Sequence, residues 1–193
     1  MARLHTSFIL GYHGCCAELG ERVLSGEPLR SSENAYDWLG PGIYFWDSDP
    51  QRAWEWADDK FRRHPDCEPF VIGAVIDLGN CLDLIARDSL DLLAQSFAIF
   101  KETSEKAGRA LPINKPASKN DGDKLLRYLD CAVIQHLHAA LAEAGATGFD
   151  TVRGLFTEGE ALFEGSGFMK KTHAQIAVYN PDVIKGVFRV PRP

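Results

Sequence analysis

The sequence predicts a single α+β domain spanning residues 1–193, and three observations carry that reading. Short apolar segments of strand length, interrupted by glycines, stand near the front of the chain. Segments whose apolar residues recur at helical spacing lie between them and the far end. The last third then reads almost wholly as strands. A chain of 193 residues is long enough to bury a substantial core within one domain.

Taken in order, residues 7–12 (Ser-Phe-Ile-Leu-Gly-Tyr) form an apolar strand that delivers His13 and Gly14 at its end. Cys16, Leu19, Val23 and Leu24 then fall near helical spacing, which predicts a helix over about 15–25 with Gly26 as its stop. Residues 27–41 are polar and irregular, hence a loop. Tyr36 and Trp38 are large for an exposed loop, so the segment is expected to fold over something. Gly42 to Trp46 is a second short strand. Asp49-Pro50 marks a helix start, with Asp49 as N-cap and Pro50 in the first turn. Trp54, Ala57 and Phe61 share one face of that helix, and Trp56 lies off it. Residues 70–78 form a buried strand, β-branched and nearly continuous in apolar character. Cys81 to Ile85 is a further short strand, and a helix follows over about 89–105. Residues 108–124 shift to Pro, Asn, Lys and Gly and read as a loop insertion. Leu126, Leu129, Val133, Leu137 and Leu141 stripe a helix over 125–144 that stops at Gly145. His136 and His138 sit two apart on it, on different faces, and not at the i, i+4 spacing of a metal pair. Strands over 149–156, 173–179 and 183–190 close the chain, the last two joined by a turn at Asn180-Pro181-Asp182.

Composition narrows the classes. Hydrophobic residues at 45% and charged residues at 25% exclude wholesale disorder. A net charge of -6 and a pI near 5.5 give no electrostatic reason for non-specific nucleic-acid binding. The five cysteines are odd in number and include no C-x-x-C pair, so neither a disulfide framework nor a zinc site is expected. Free thiols fit a reducing cytosol. With neither a signal peptide nor a membrane-length apolar run, the expectation is a cytoplasmic protein without a membrane partner.

The chain is organised around Gly11-Tyr12-His13-Gly14 and Gly40-Pro41-Gly42-Ile43-Tyr44-Phe45-Trp46. Each places one polar ring group where glycines keep the backbone bare, so that a ligand can approach the main chain. Side by side they would give a pocket with an imidazole, a phenol, backbone amides and aromatic walls, a small-molecule site. Alone, His13 reads as a satisfied core or loop histidine, and Tyr44 as a strand aromatic with a bonded hydroxyl.

Tyr-His-Gly early, Gly-Ile-Tyr-Phe some thirty residues on, and a late strand ending in Val-Tyr-Asn-Pro resemble the ADP-ribosyltransferases of the diphtheria-toxin and poly(ADP-ribose) polymerase type. The three motifs occur in that family's order and span nearly the whole chain. The resemblance implies a split, mixed or antiparallel β-sheet with flanking helices, and NAD as substrate in an extended cleft without a metal. It carries the family's His-Tyr-Glu triad onto His13, Tyr44 and Gln175. His13 would contact the adenosine-side ribose, Gly14 would hold the nicotinamide amide with its main chain, and Tyr44 would stack on the nicotinamide. Trp54 or Trp56 would supply a second stacking ring, and Ser31, Tyr36 and Phe45 would complete the NAD-binding set.

Gln175 departs from the family's glutamate. It keeps a hydrogen bond but loses the negative charge and any base capacity. Glu158, Glu160 and Glu164 in the preceding loop, each read singly as a solvated loop residue, and His173 are the candidates for acceptor recognition or for a substitute carboxylate. His173 reads equally as a packed strand residue. The expected function is NAD-dependent mono-ADP-ribosyl transfer to a macromolecular acceptor, protein or nucleic acid. A toxin or defence effector with an antitoxin or immunity partner is the natural setting. The alternatives are an NAD glycohydrolase and a non-catalytic NAD- or ADP-ribose-binding module.

Overall fold

The computed structural model describes residues 8–62, 64, 66–117 and 124–193. Among these the chain forms a mixed seven-stranded sheet and four α-helices, so the α+β class holds. The elements run β1 (Phe8–Cys16), α1 (Ala17–Leu24), β2 (Ile43–Asp47), α2 (Pro50–Phe61), β3 (Pro69–Asp77), β4 (Cys81–Asp83), α3 (Arg87–Lys106), α4 (Tyr128–Glu143), β5 (Thr151–Phe156), β6 (His173–Val178) and β7 (Ile184–Arg189). Across the sheet the order is β4-β5-β6-β2-β1-β3-β7, with β4 and β5 parallel and every other pair antiparallel.

Two boundaries differ from the sequence reading for reasons that lie in pairing. β1 runs past Tyr12 to Cys16, because β3 pairs with it rung by rung from Phe8↔Asp77 to Cys16↔Pro69. His13 and Gly14 therefore lie inside a strand, not after one. α4 starts at Tyr128 instead of Leu125, because Leu126 exchanges backbone hydrogen bonds with Lys115 at 2.8 and 2.9 Å. The same bridge anchors the expected insertion, and residues 118–123 at its centre lie outside the described residues. α2 begins as its sequence requires: Asp49 accepts from the Arg52 amide at 2.9 Å, with Pro50 in the first turn. A cap of this kind is worth about 1 kcal/mol. His136 and His138 pack against rings, His136 beside Phe100 and His138 stacked on Tyr179 at 4.2 Å.

Strand alternation sends Ile43 and Phe45 to one face of the sheet and Tyr44 and Trp46 to the other. Ile43 and Phe45 join Ala74, Ile76, Ile176 and Val178 in one buried cluster. Trp46 packs with Ala53, Trp54 and Ala57 of α2. Tyr44 borders a cluster built on Leu39, Ile134 and Leu137, which brings α4 onto the sheet.

The feature that positions the site is a break in the ladder between two central strands. β1 and β2 pair only at Gly11↔Asp47 and Tyr12↔Trp46. β2 instead follows β6, from Ile43↔Val178 to Trp46↔Gln175. From His13 onward, β1 faces no β2 rung, and the sheet parts there into two halves.

The five free thiols expected from the sequence are reduced to three. Cys16 and Cys67 are joined as a disulfide with their Cα atoms 5.4 Å apart, leaving Cys15, Cys81 and Cys131 outside any disulfide. An odd count hid this pair, and β3 pairing brings the end of β1 beside the turn before Pro69. Denatured, unreduced protein should titrate three thiols and reduced protein five. Cys67→Ser should lower the unfolding free energy by about 2–4 kcal/mol in urea titrations, with reductant bringing the wild type to the level of the variant. Five titratable thiols without reductant would reject the cross-link.

Candidate functional site at the break in the sheet

His13 stands at the break and bridges it. Its Nδ1–H donates to the Tyr44 carbonyl at 2.8 Å, a bond between chain positions 31 apart. A carbonyl only accepts, so Nδ1 carries the proton and Nε2 of the neutral ring keeps its lone pair. Burial lowers the His13 pKa below its ordinary value, against the Tyr44 carbonyl, which raises it, and Lys60 lowers it further. The ring is thus held neutral at pH 7.

Next to it opens a cavity of about 430 Å³, within the range of small-molecule sites. Its walls include His13, Tyr44 and Gln175, three groups contributed by three different strands. Trp38 and Trp56 supply aromatic surface, and Arg30 and Lys60 supply positive charge. The Lys60 ammonium lies 4.3 Å from the Trp56 ring centroid.

The Tyr44 phenol is fully engaged. It donates to the Gly40 carbonyl at 2.8 Å and accepts from the Leu39 amide at 2.9 Å. Burial, ahead of the nearby Asp37 charge, pushes its pKa far up. What Tyr44 offers the cavity is therefore its ring, and not an ionisable hydroxyl. Tyr179 donates to the Leu39 carbonyl at 2.8 Å, so two phenols clamp the Leu39–Gly40 turn. Gly40 sits there at φ +78°, a conformation that L side chains rarely adopt.

The clamped turn aims Trp38. Its indole N–H donates to Gln175 Oε1 at 2.7 Å, across 137 positions of chain. Because an indole nitrogen only donates, the bond fixes the Gln175 amide with its oxygen towards Trp38 and leaves the NH₂ group as what the side chain can offer a ligand. Gly154, opposite Gln175 on β5, makes room for this: a Cβ there would come within 2.8 Å of the Trp38 ring.

A second cavity, of about 210 Å³, adjoins the first and shares Trp38, Trp46, Trp56 and Gln175 with it. Arg52, Phe156, Glu158 and His173 complete its wall. Arg52 and Glu158 form an ion pair at 2.9 Å, with side chains only 11% and 15% exposed. His173 donates Nδ1–H to the Lys171 carbonyl at 2.7 Å and stacks on Phe156 with ring centroids 5.6 Å apart.

The expected site residues divide accordingly. His13, Tyr36, Tyr44, Trp56 and Gln175 meet in the larger cavity, and Glu158 and His173 in the smaller. Phe45 points to the opposite face and is wholly buried, and Trp54 is buried in the α2 interface, so neither lines the cleft. Ser31 is exposed, between the lining residues Arg30 and Ser32. Gly14 is covered by α2, where a Cβ would lie 2.9 Å from Trp56. Glu160 and Glu164 are exposed, and Glu160 pairs with Lys170 at 3.1 Å. Sequence reasoning singled out Trp38 only as a loop aromatic and missed Arg52 and Lys60. Arg52 and Lys60 carry no motif, and only the placement of α2 brings them to the cleft. Among the described residues no group of three or more His, Cys, Asp or Glu side chains could hold a metal ion. Among them, too, no helix is long and apolar enough to cross a membrane.

Comparison with protein-family models, with curated proteins and with solved structures finds no match for this chain.

Burial lowers the pKa of His13, His138 and His173 alike, each from an ordinary value of 6.5. Below that value the unfolded chain takes up protons that the native state refuses, so stability falls as pH drops through this window and levels off above it. Urea midpoints measured between about pH 5 and pH 7.5 should follow that slope, and His13→Gln should flatten part of it. A flat profile through this range would contradict the buried, neutral histidines.

Proposed function

We propose that this protein is an NAD-dependent mono-ADP-ribosyltransferase with a fold of the diphtheria-toxin and poly(ADP-ribose) polymerase type. The observation that carries the reading is the convergence of His13, Tyr44 and Gln175 on one cavity at a break in the sheet. These are the three positions onto which the resemblance carries that family's triad, with Gln175 in place of the glutamate.

In this reading NAD lies along the larger cavity. The neutral His13 ring accepts from a ribose hydroxyl through Nε2, because Nδ1 is committed to Tyr44. The Tyr44 ring and the Trp38 and Trp56 indoles offer apolar faces to the nicotinamide, which favours planar stacking. Lys60 and Arg30 face the diphosphate. Gln175 donates its NH₂ group to the nicotinamide-side ribose. The glycosidic bond breaks with its electron pair going to nicotinamide, and the acceptor oxygen then bonds to the ribose carbon. Gln175 itself carries no charge, and the Asp37 carboxylate in the cavity wall comes from the loop before β2, so charge building on the ribose gains little electrostatic help from β6. Slow turnover is the consequence.

Purified protein incubated with labelled NAD and a cell lysate should transfer label to a macromolecule, and His13→Ala should abolish that transfer. Label on no protein or nucleic acid would reject the transferase reading. Gln175→Glu should raise nicotinamide release, on the order of 10²-fold for one electrostatic group in a preorganised site. A carboxylate at this position can still accept from the Trp38 indole.

The bonded Gln175 amide favours one second reading, a module that binds NAD or ADP-ribose without turning it over. Calorimetric NAD binding with no nicotinamide release by wild type or by Gln175→Glu would select it.

A further inference from the structure

We propose that His173 is the proton acceptor for the incoming nucleophile, and that the smaller cavity takes a hydroxyl group. The inference rests on the transferase reading above and adds to it the chemistry of the acceptor.

Three features of the structure point to this role. The first is position. His173 and Gln175 are alternate residues of β6 and so share one face of the strand. The smaller cavity lined by His173 adjoins the larger and shares Gln175 and the three tryptophans with it. A group seated there approaches the ribose carbon from beside the residue assigned to hold the ribose.

The second is orientation. The Nδ1–H bond to the Lys171 carbonyl fixes the tautomer, leaving the Nε2 lone pair available. The ring is held by its stack on Phe156, 21° from parallel, and by Trp46 at 6.5 Å. A base must be placed before it can act.

The third is charge state. Burial lowers the His173 pKa. The charged groups that face it are Arg52 and Asp49, from the start of α2, and Glu158, beyond β5. Arg52 lowers the pKa further, while the Lys171 carbonyl, Glu158 and Asp49 raise it. Arg127, at the start of α4, lies over the Phe156 ring against which His173 stacks. The Glu158 carboxylate is already engaged, accepting from Arg52 at 2.9 Å.

A base in this position narrows the acceptor to groups that must shed a proton. A carboxylate nucleophile is already ionised at pH 7 and needs none. A hydroxyl must lose its proton as the new bond forms. The step balances without any redox partner. The C–N glycosidic bond breaks and its pair leaves with neutral nicotinamide. A hydroxyl lone pair forms the C–O bond, and its proton passes to His173 Nε2 and on to solvent.

The test measures NAD cleavage in water with methanol as a small hydroxyl probe, and resolves ADP-ribose from methyl ADP-riboside. Wild type should form both products, with kcat/KM rising with pH through the His173 ionisation below 6.5 and then levelling. His173→Phe keeps a ring on Phe156. It should lose about 10²-fold or more in kcat with little change in KM for NAD, and should lose the His173 part of the acid limb. Imidazole should restore rate to His173→Ala. In wild type, nitrogen NMR should find the His173 Nε2 unprotonated at neutral pH, a readout that needs no variant. If wild type cleaves NAD and His173→Phe, still folded by its thermal transition, does so at the same rate and pH profile, the role of His173 is overturned and the transferase reading stands. If wild type binds NAD but releases no nicotinamide under any condition, both fall together.

Discussion

The site depends on the hydrogen bond from His13 Nδ1 to the Tyr44 carbonyl. Sheet strands satisfy their polar groups by pairing, and an unpaired buried carbonyl is costly. β1 and β2 stop pairing after Tyr12, and the imidazole spans that break at 2.8 Å, where a backbone amide would otherwise serve. One interaction thereby meets the needs of the fold and of the cleft. It satisfies a strand carbonyl, fixes a tautomer, and keeps open the gap into which a ligand can enter. A continuous β1–β2 ladder would close that gap.

A second constraint acts from the loop side. The Leu39–Gly40 turn is held by the hydroxyls of Tyr44, from β2, and of Tyr179, just past the end of β6. Held in this way, the turn carries Trp38 across Gly154 to Gln175. The cleft is therefore lined by side chains whose polar atoms are largely committed to one another. What the strands and α2 offer a ligand includes two ring nitrogens with lone pairs, one amide NH₂ group, cations and flat apolar rings.

Much of the fold could be read from local pattern, because the signals were local. Asp49-Pro50 carries its own capping chemistry, and the apolar run 71–76 could only be a buried strand. The limits of β1 and α4 could not be read in this way, since each is set by a distant partner: Pro69 for Cys16, and Lys115 for Leu126. The same holds within the site. The glycine settings of His13 and Tyr44 mark them in the sequence. Lys60, Arg52 and Trp38 enter only once α2 and the clamped turn are placed. Phe45 and Trp54 lie away from the cavity for the converse reason. Strand alternation and the helix face turn them away from the cleft, a matter of phase and not of residue type.

The pair of phenols that hold the Leu39–Gly40 turn also gives the molecule an optical reporter. Burial pushes the pKa of both Tyr44 and Tyr179 far upward. Neither forms tyrosinate while the turn is intact, since each donates its only proton to a main-chain oxygen. Alkaline difference absorbance near the tyrosinate band would therefore arrive late for these two chromophores. Their delay would clock how long the turn that presents Trp38 holds its shape.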